Sequence, residues 1–587
     1  MFLFFSLLPF SSIAEPVRPE ILTHKDYATA LNYIKEFAEY HRNENNIPGI
    51  SYALIDGDKI VWQGGLGVSN KNSQEKADES TLYRAGALST LMTAALIVRM
   101  EQEGKLSLDD LVTKYLPEFR LKNQKKAPTI KQLLTHHAGL PLSYFNGMWT
   151  ESPDSLQQIT DKINDLPASY FVDQIFSYSN LGYDLLGRII EVVSEKSFAE
   201  VADEKLFKPL GMEYSNFTWN KVDQKKLALG YKDGDFKPFL EARDLPALGL
   251  VSNVNDLAKF AQATMGSMSS SQKVMKQTSW NKMIQAHNSH VKLDLNKGIG
   301  LGWQIGGMET KYEKPVVWRQ GATLLHRSRI AMIPELGLGV VIMSNSSKGF
   351  RALDTISGEA LDVLLEIKLG EQAAQEKNQH IELPGKITGF KSLYSSYIGL
   401  IKTEKKEDRF LLDAMGWELV LKPEQNGWFR LEYDLLGFIP IKLDWFAKIR
   451  VTAANIDGVD VAIINHKSVN YLFGLAMEPP VLSEKWLNRI GVYEPKIKDA
   501  LLNHYEVHEG ELKLYEEVLV FEYELPAFLP LKFRVPLLPL TDNEALIPGL
   551  GTGLNERVTV GQDKDGEYLS YSGYKVVEKQ QHPFFAF

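Results

Sequence analysis

The sequence predicts an α+β fold: helices layered on an antiparallel sheet, followed by two small β-barrel-like domains. Three observations carry this. Up to about residue 370, helical and strand patterns alternate, with strands near both ends and helices between. The polar stretch Glu371 to Gly385 then reads as a linker. After it come short aromatic-rich strands that repeat, LEYDLLGFIPIKL at Leu431 to Leu443 and FEYELPAFLPLKF at Phe521 to Phe533.

Taken in order, Tyr27 to Tyr40 has the spacing of an amphipathic helix. Ile50 to Ile55 and Lys59 to Gly64 read as strands joined by an Asp56-Gly57-Asp58 turn. Ser89 reads as the cap of a helix running to Glu103 and closed by Gly104, and Leu181 to Glu195 as a further helix. Ser328 to Ile333 and Gly339 to Ser344 read as paired strands around Pro334 to Leu338. In the repeat, Glu432, Tyr433, Phe438, Pro440 and Lys442 match Glu522, Tyr523, Phe528, Pro530 and Lys532. Upstream, Ile398-Gly399 matches Ile490-Gly491. The predicted organisation is a signal peptide at 1–14, a first domain at 15–370, a linker at 371–385, and β-rich modules at 386–480 and 481–587. Evenly spaced short strands with Gly and Asp turns suit small barrels or sandwiches.

Composition narrows the function. Of 587 residues, 44% are hydrophobic and 24% charged, the profile of a soluble globular protein. Lys plus Arg is 65 against 74 Asp plus Glu, a net charge of −9 without a basic stripe, which argues against nucleic acid as a partner. Cys is absent, which removes disulfides, a thiolate nucleophile, zinc–thiolate sites, iron–sulfur clusters and a lipidated Cys. The apolar run Phe2 to Phe10 with Ser12-Ile13-Ala14 before Glu15 reads as a short, atypical signal peptide, the alternative being a buried N-terminal segment. An exported protein, periplasmic or secreted, is therefore expected.

Several stretches of the first domain, in order, carry a resemblance. They are Ile47-Pro48-Gly49-Ile50, Thr129 to Pro141 (TIKQLLTHHAGLP), Phe176 to Gly187 (FSYSNLGYDLLG), Pro209 to Met212 (PLGM), Gly249 to Phe260 (GLVSNVNDLAKF), Gly300 to Trp303 (GLGW) and Ile333 to Asn345 (IPELGLGVVIMSN). Over about residues 25 to 365 the chain resembles the serine β-lactamase-like family of class C β-lactamases, DD-peptidases and esterases. The resemblance implies a β-lactamase/transpeptidase-like α/β sandwich and three motifs. In Ser-x-x-Lys, a serine hydroxyl attacks a carbonyl and a lysine one helical turn on helps to deprotonate it. Tyr-x-Asn supplies a phenol and an amide. Lys-Thr-Gly or His-x-Gly, on a strand, binds the substrate carboxylate.

The first motif is broken here. Arg84 to Ala94 reads RAGALSTLMTA, and alignment through Arg84, Gly86, Ser89, Thr93 and Ala94 puts Ala87 at the nucleophile and Thr90 at the lysine. Ser89 does not restore the pattern, because Met92 stands three residues on. The second motif is intact as Tyr178-Ser179-Asn180. The third is altered: in VVWRQGATLLHRSR, Arg319 takes the His or Lys position and Gly321 the glycine, while His326 replaces a usual aromatic. A guanidinium grips carboxylates in a two-pronged way, so Arg319, Gly321 and Ser89 are candidate ligand-binding residues. Tyr178 and Asn180 are a vestigial catalytic pair, or merely hold their loop. Trp318 is expected to fill part of the old pocket.

No metal and no cofactor is implied. His136-His137 are sequence neighbours that point apart, His508-Glu509 lacks the second His of a metalloprotease motif, Gly549 to Gly553 (GLGTG) has no strand–loop–helix setting for phosphate, and Lys122 to Lys126 reads as a solvated charge run. Three functions follow. One is a non-catalytic relative that binds a small-molecule acyl, peptide or cell-wall-derived ligand or acts as a scaffold. Another is a hydrolase, esterase or acyl transferase with a displaced site using Ser89, Tyr178 or a hydroxyl from another loop. In the third, the C-terminal modules bind lipid or a protein partner through the apolar stretches Leu435 to Ile441 and Leu525 to Leu540, which otherwise form their cores.

Overall fold

The computed structural model describes residues 14–19, 27–164, 166–218, 221–237, 240–308, 310, 315–369, 383–407, 409–435, 439–441, 449–466, 469–496, 509–525 and 531–579. The proposed signal segment, most of the linker, and Phe438, Lys442, Phe528 and Pro530 of the repeat lie outside these residues.

Helix α1 (Tyr27–Glu44) leads into strands β1 (Gly49–Asp56) and β2 (Lys59–Asn70). The middle of the domain supplies helices α2 (Ser89–Gln102), α3 (Asn180–Ser194) and α4 (Val254–Met265). Strands β3 (Val317–Ala322), β4 (Arg327–Ile333) and β5 (Leu338–Ser344), then helix α5 (Gly349–Leu369), complete it. The sheet is antiparallel in the order β3-β4-β5-β1-β2, with Gln304–Ile305 beside β3 and Glu75–Lys76 beside β2. The first and last strands therefore meet at its centre, Ile50 opposite Ser344 and Asp56 opposite Leu338.

Strand alternation sorts the core into two layers. Tyr52, Leu54 and Ile342 join the core built with α1 and α5, whereas Ala53, Ile55 and Met343 join the larger core around α2, α3 and α4. Helix α2 is the centre of that second layer, with Ser89 to Val98 all buried. The strands predicted at Ile50 to Ile55, Lys59 to Gly64, Ser328 to Ile333 and Gly339 to Ser344 fall within β1, β2, β4 and β5, and Gly57 turns the first hairpin at φ 62°.

After α5 come two β-barrels. The first closes because Val469–Met477 pairs with Leu393–Ser396 and Phe429–Leu435 pairs with Ile449–Ile456. The second is a ring of eight strands, closed by Gly491–Pro495 against Tyr574–Glu578. The repeat anchors occupy equivalent hairpins: Tyr433 pairs across to Ile441, and Tyr523 to Phe533. Side chains fill both interiors, among them Tyr394, Leu412 and Val451 in the first and Trp486, Leu519 and Leu537 in the second. Apolar side chains of the first barrel (Ala454, Ile456, Val461) pack on Leu293 and Leu295 of the first domain, and Lys292 reaches Asp457 at 2.7 Å. Leu393 and Leu400 of the first barrel pack on Val518 and Val520 of the second. Among the described residues no helix is long and apolar enough to cross a membrane.

Candidate functional site

Three elements converge around the buried Arg319. The first is the turn into α2. Gly86 adopts φ 55° and lies so close to the Ala322 backbone that a side chain there would collide with it. This positive φ suits glycine. Across from it, a Cβ on Gly321 would run into the Ala85 carbonyl, to which Ser328 Oγ also donates at 2.7 Å. The two glycines thus let the helix turn press onto β3, and Ala87 sits half-buried beside it. Gly321 is accounted for by this close approach.

Neither lost motif position has a substitute beside it. Thr90 is fully buried, and its hydroxyl donates to the Ala87 carbonyl at 2.7 Å. Ser89 departs from both of its sequence expectations. It begins the helix rather than capping it, and its hydroxyl is fully buried, donating to Gly86 O (2.6 Å) and accepting from Leu250 N–H (2.9 Å). With those bonds made inside the core, Ser89 is not presented to a ligand.

The second element is the Tyr178-Ser179-Asn180 loop. The middle residue positions it: Ser179 caps α3 by accepting from Gly182 N–H at 3.2 Å, and its hydroxyl donates to Pro141 O at 2.6 Å. Asn180 Nδ2 donates to Ser143 Oγ at 2.7 Å, while its Oδ1 is buried without a hydrogen bond. The Tyr178 hydroxyl is likewise buried without a well-formed hydrogen bond. Burial pushes its pKa up, against the pull of the neighbouring Arg319 cation.

The third element is β3. Its inward residues are Val317, Arg319 and Gly321. Arg319 is only 3% exposed, its guanidinium lies 5.1 Å from the Tyr178 ring centre, and Nε reaches towards Ala87 O at 3.5 Å. One of its terminal nitrogens is buried without a hydrogen bond. Trp318, expected in the pocket, lies on the opposite face. It packs against the α1–α5 layer, donates from Nε1 to Gly306 O at 2.7 Å and stacks under Arg329 at 4.4 Å. Adjacent strand residues point to opposite faces, so an inward Arg319 requires an outward Trp318.

Sequence reasoning named His136 and His326 without giving them these roles, and missed Asp184, Arg243 and Asp244. His136 stacks on Tyr178 at 4.4 Å, and its Nδ1 accepts from Ser179 N–H at 3.1 Å, so its remaining proton belongs on Nε2. Burial, then the Arg319 and His137 charges, holds its pKa well below the ordinary range. His137 turns the other way, to Asp294 at 2.8 Å. Behind the α2 turn, His326 Nδ1 accepts from Arg84 N–H at 3.0 Å, and burial pushes its pKa down to about 3. Asp184, one turn beyond Asn180, is fully buried, and burial followed by the Asp244 charge raises its pKa well above the usual carboxylate range. Arg243 holds Asp244 at 2.6 Å and also donates to Asn146 O (2.9 Å) and Tyr144 O (2.6 Å), bracing the loop beside the cleft.

The second barrel reaches this same loop. Tyr178 N–H donates to Thr552 Oγ1 at 2.9 Å, Leu142 N–H to Glu556 Oε1 at 2.7 Å, and Phe145 N–H to Ser572 Oγ at 2.9 Å.

A helix turn, a Tyr-x-Asn loop and an inward strand cation around one cleft define the class: the fold of the penicillin-recognising serine hydrolases. The family model described as Beta-lactamase matches residues 32–362, and the chain belongs to that family. It is similar to Protein flp of Staphylococcus aureus (strain MRSA252), 26% identical over 326 residues, covering 53% of this chain and 62% of that protein. It is also similar to a Beta-lactamase of Providencia stuartii, 30% identical over 250 residues, covering 42% of this chain and 61% of that protein. The chain thus spans about three fifths of the length of these curated relatives. Among solved structures, the octameric penicillin-binding protein homologue from Pyrococcus abyssi is 24% identical, covers 75% of this chain and 99% of its own, and has a TM-score of 0.51. A class C beta lactamase is 21% identical, covers 58% and 99%, and has a TM-score of 0.50. At these identities the likeness is one of fold.

Proposed function

We propose that this chain is an exported member of the β-lactamase family that has given up acyl-enzyme chemistry, its cleft serving as a binding or scaffolding site. One observation carries the reading. Ala87 offers a methyl group where the nucleophile belongs, and Thr90, in the lysine position, spends its hydroxyl on the Ala87 carbonyl. A serine hydroxyl needs a neighbouring base to attack, and here both partners are missing together. Removing one such group from a serine hydrolase costs several orders of magnitude, and removing the second adds little.

Binding chemistry persists. The Arg319 guanidinium and the Asn180 carbonyl oxygen each keep a buried polar atom without a hydrogen bond, and the Tyr178 hydroxyl has the Arg319 guanidinium as its polar neighbour. A cation, an acceptor and a phenol suit a carboxylate-bearing acyl, peptide or wall-derived ligand. The displaced-site reading would have to use Ser89, Tyr178 or a hydroxyl from another loop, and Ser89 is spent inside the core. Incubation with a fluorescent penicillin, followed by a denaturing gel and intact mass, is expected to show no covalent adduct. A stoichiometric adduct would sink the proposal.

A further inference from the structure

A pocket at the C-terminal ends of α2 and α3 shares no residue with the site around Arg319. It encloses about 230 Å³. That exceeds the roughly 150 Å³ of an apolar cavity that admits benzene. Its floor is apolar: Leu96, Met100 and Val201 are buried there, and Val193 forms a half-buried wall.

The rim is charged, and its charges do not balance. Glu103 is shared by Arg99 at 2.8 Å and Lys105 at 2.7 Å. Lys196 pairs with Glu204 at 2.7 Å. Lys205 is exposed and makes no ion pair among the described residues. Four cations thus line the pocket with two carboxylates. A helix C-terminus attracts cations, which accounts for Arg99 in the last turn of α2. It does not account for Lys205, which lies on neither helix. The segment Asp203–Phe207 winds as a π-helix, a form that recurs at functional sites. That turn sets Glu204 and Lys205 at the surface while Val201 and Leu206 stay buried. Arg99 reaches across and donates from Nη1 to Lys205 O, which fixes a guanidinium at the rim.

We propose that this pocket binds a small amphiphile with one carboxylate head and a short saturated tail, of the medium-chain fatty-acid type. The tail lies on Leu96, Met100, Val193 and Val201, and the head sits among Arg99, Lys105 and Lys205. Burial of the tail supplies affinity. The surplus cations select an anionic head over a neutral one. A carboxylate also suits the planar fork of Arg99. The inference stands apart from the loss of chemistry at Ala87, because the two sites have no residue in common.

The test uses the full chain and octanoate, followed by isothermal titration calorimetry. Octanoate is expected to bind one to one, octanol at least tenfold more weakly, and acetate not detectably. Lys205→Glu, a change at an exposed residue without an ion pair, is expected to weaken octanoate about tenfold. Val193→Phe fills the pocket and is expected to abolish binding. A photoactivatable octanoate carrying a diazirine is expected to crosslink within residues 96–105 and 193–205. Undetectable octanoate binding, equal affinity for octanoate and octanol, or binding indifferent to Lys205→Glu overturns the proposal. Adducts confined to the peptides around Tyr178 and Arg319 overturn it equally. So does binding to phosphatidylglycerol vesicles without binding of free octanoate, which would assign the cations to a membrane surface.

Discussion

The two walls of the cleft have diverged to different degrees. On the α2 side the positions we align with the reactive pair hold Ala87 and Thr90, and around them Gly86 holds a positive φ and Gly321 admits the Ala85 carbonyl. On the facing side Tyr178 and Asn180 both remain, Tyr178 beside the Arg319 guanidinium and Asn180 with its Oδ1 buried without a hydrogen bond. Both walls are backed alike, by a buried histidine whose Nδ1 accepts a backbone N–H: His326 from Arg84, His136 from Ser179. What the walls share is the frame, and what separates them is the chemistry mounted on it. The frame is enforced by packing and backbone pairing, which the whole domain depends on. A nucleophile is needed only for turnover and can be lost without disturbing the fold.

Stability measurements can break or sharpen this contrast. The largest effect is expected at Gly321→Val, which drives a branched side chain into the Ala85 carbonyl and costs roughly 3 kcal/mol. Calorimetry showing an unchanged Tm would mean that the α2 turn is free to retreat from β3. Next comes Ser179→Ala, which removes the α3 cap and the bond to Pro141 O and costs about 1–2 kcal/mol. Asn180→Ala should cost less, because it removes an unpartnered oxygen together with the bond to Ser143. Chemical denaturation that reverses this order would show that the named motif residue, rather than the unnamed one between, holds the loop.

The remaining effect depends on pH. The folded chain keeps His326 neutral down to about 3, and His136 well below its ordinary value. The unfolded chain protonates both near 6.5. The unfolded state therefore binds more protons between those values, so stability is full above about pH 6.5 and falls as pH drops through the window. His326→Asn keeps an acceptor for Arg84 N–H and should flatten the fall by up to about 1.4 kcal/mol per pH unit. Equal slopes of Tm against pH in both proteins would place the acid sensitivity elsewhere.

Much of this was legible in the sequence. The paired strands and Tyr178-Ser179-Asn180 were written in period and motif, and the gap at Ala87 and Thr90 was visible because Arg84, Gly86 and Thr93 still frame it. Trp318 was misread although the signal was present, since strand alternation already sends it away from Arg319. Ser89 was misread for a different reason: a serine at a helix start can bond forwards as a cap or backwards to a carbonyl, and only the preceding turn at Gly86–Leu88 decides. The bonds from Thr552, Glu556 and Ser572 span hundreds of residues, and no local pattern announces such pairings. GLGTG could be recognised as a loop, but the surface it rests on could not.

The two barrels are similar in architecture but unequal in what they touch. The first seats Ala454, Ile456 and Val461 on Leu293 and Leu295, and it also packs on the second through Leu400 and Val520. The second is thus tied to the first domain twice over, directly at Tyr178 and through its neighbour. A residue inserted in the first barrel, far from Tyr178, would therefore shift how the second meets it.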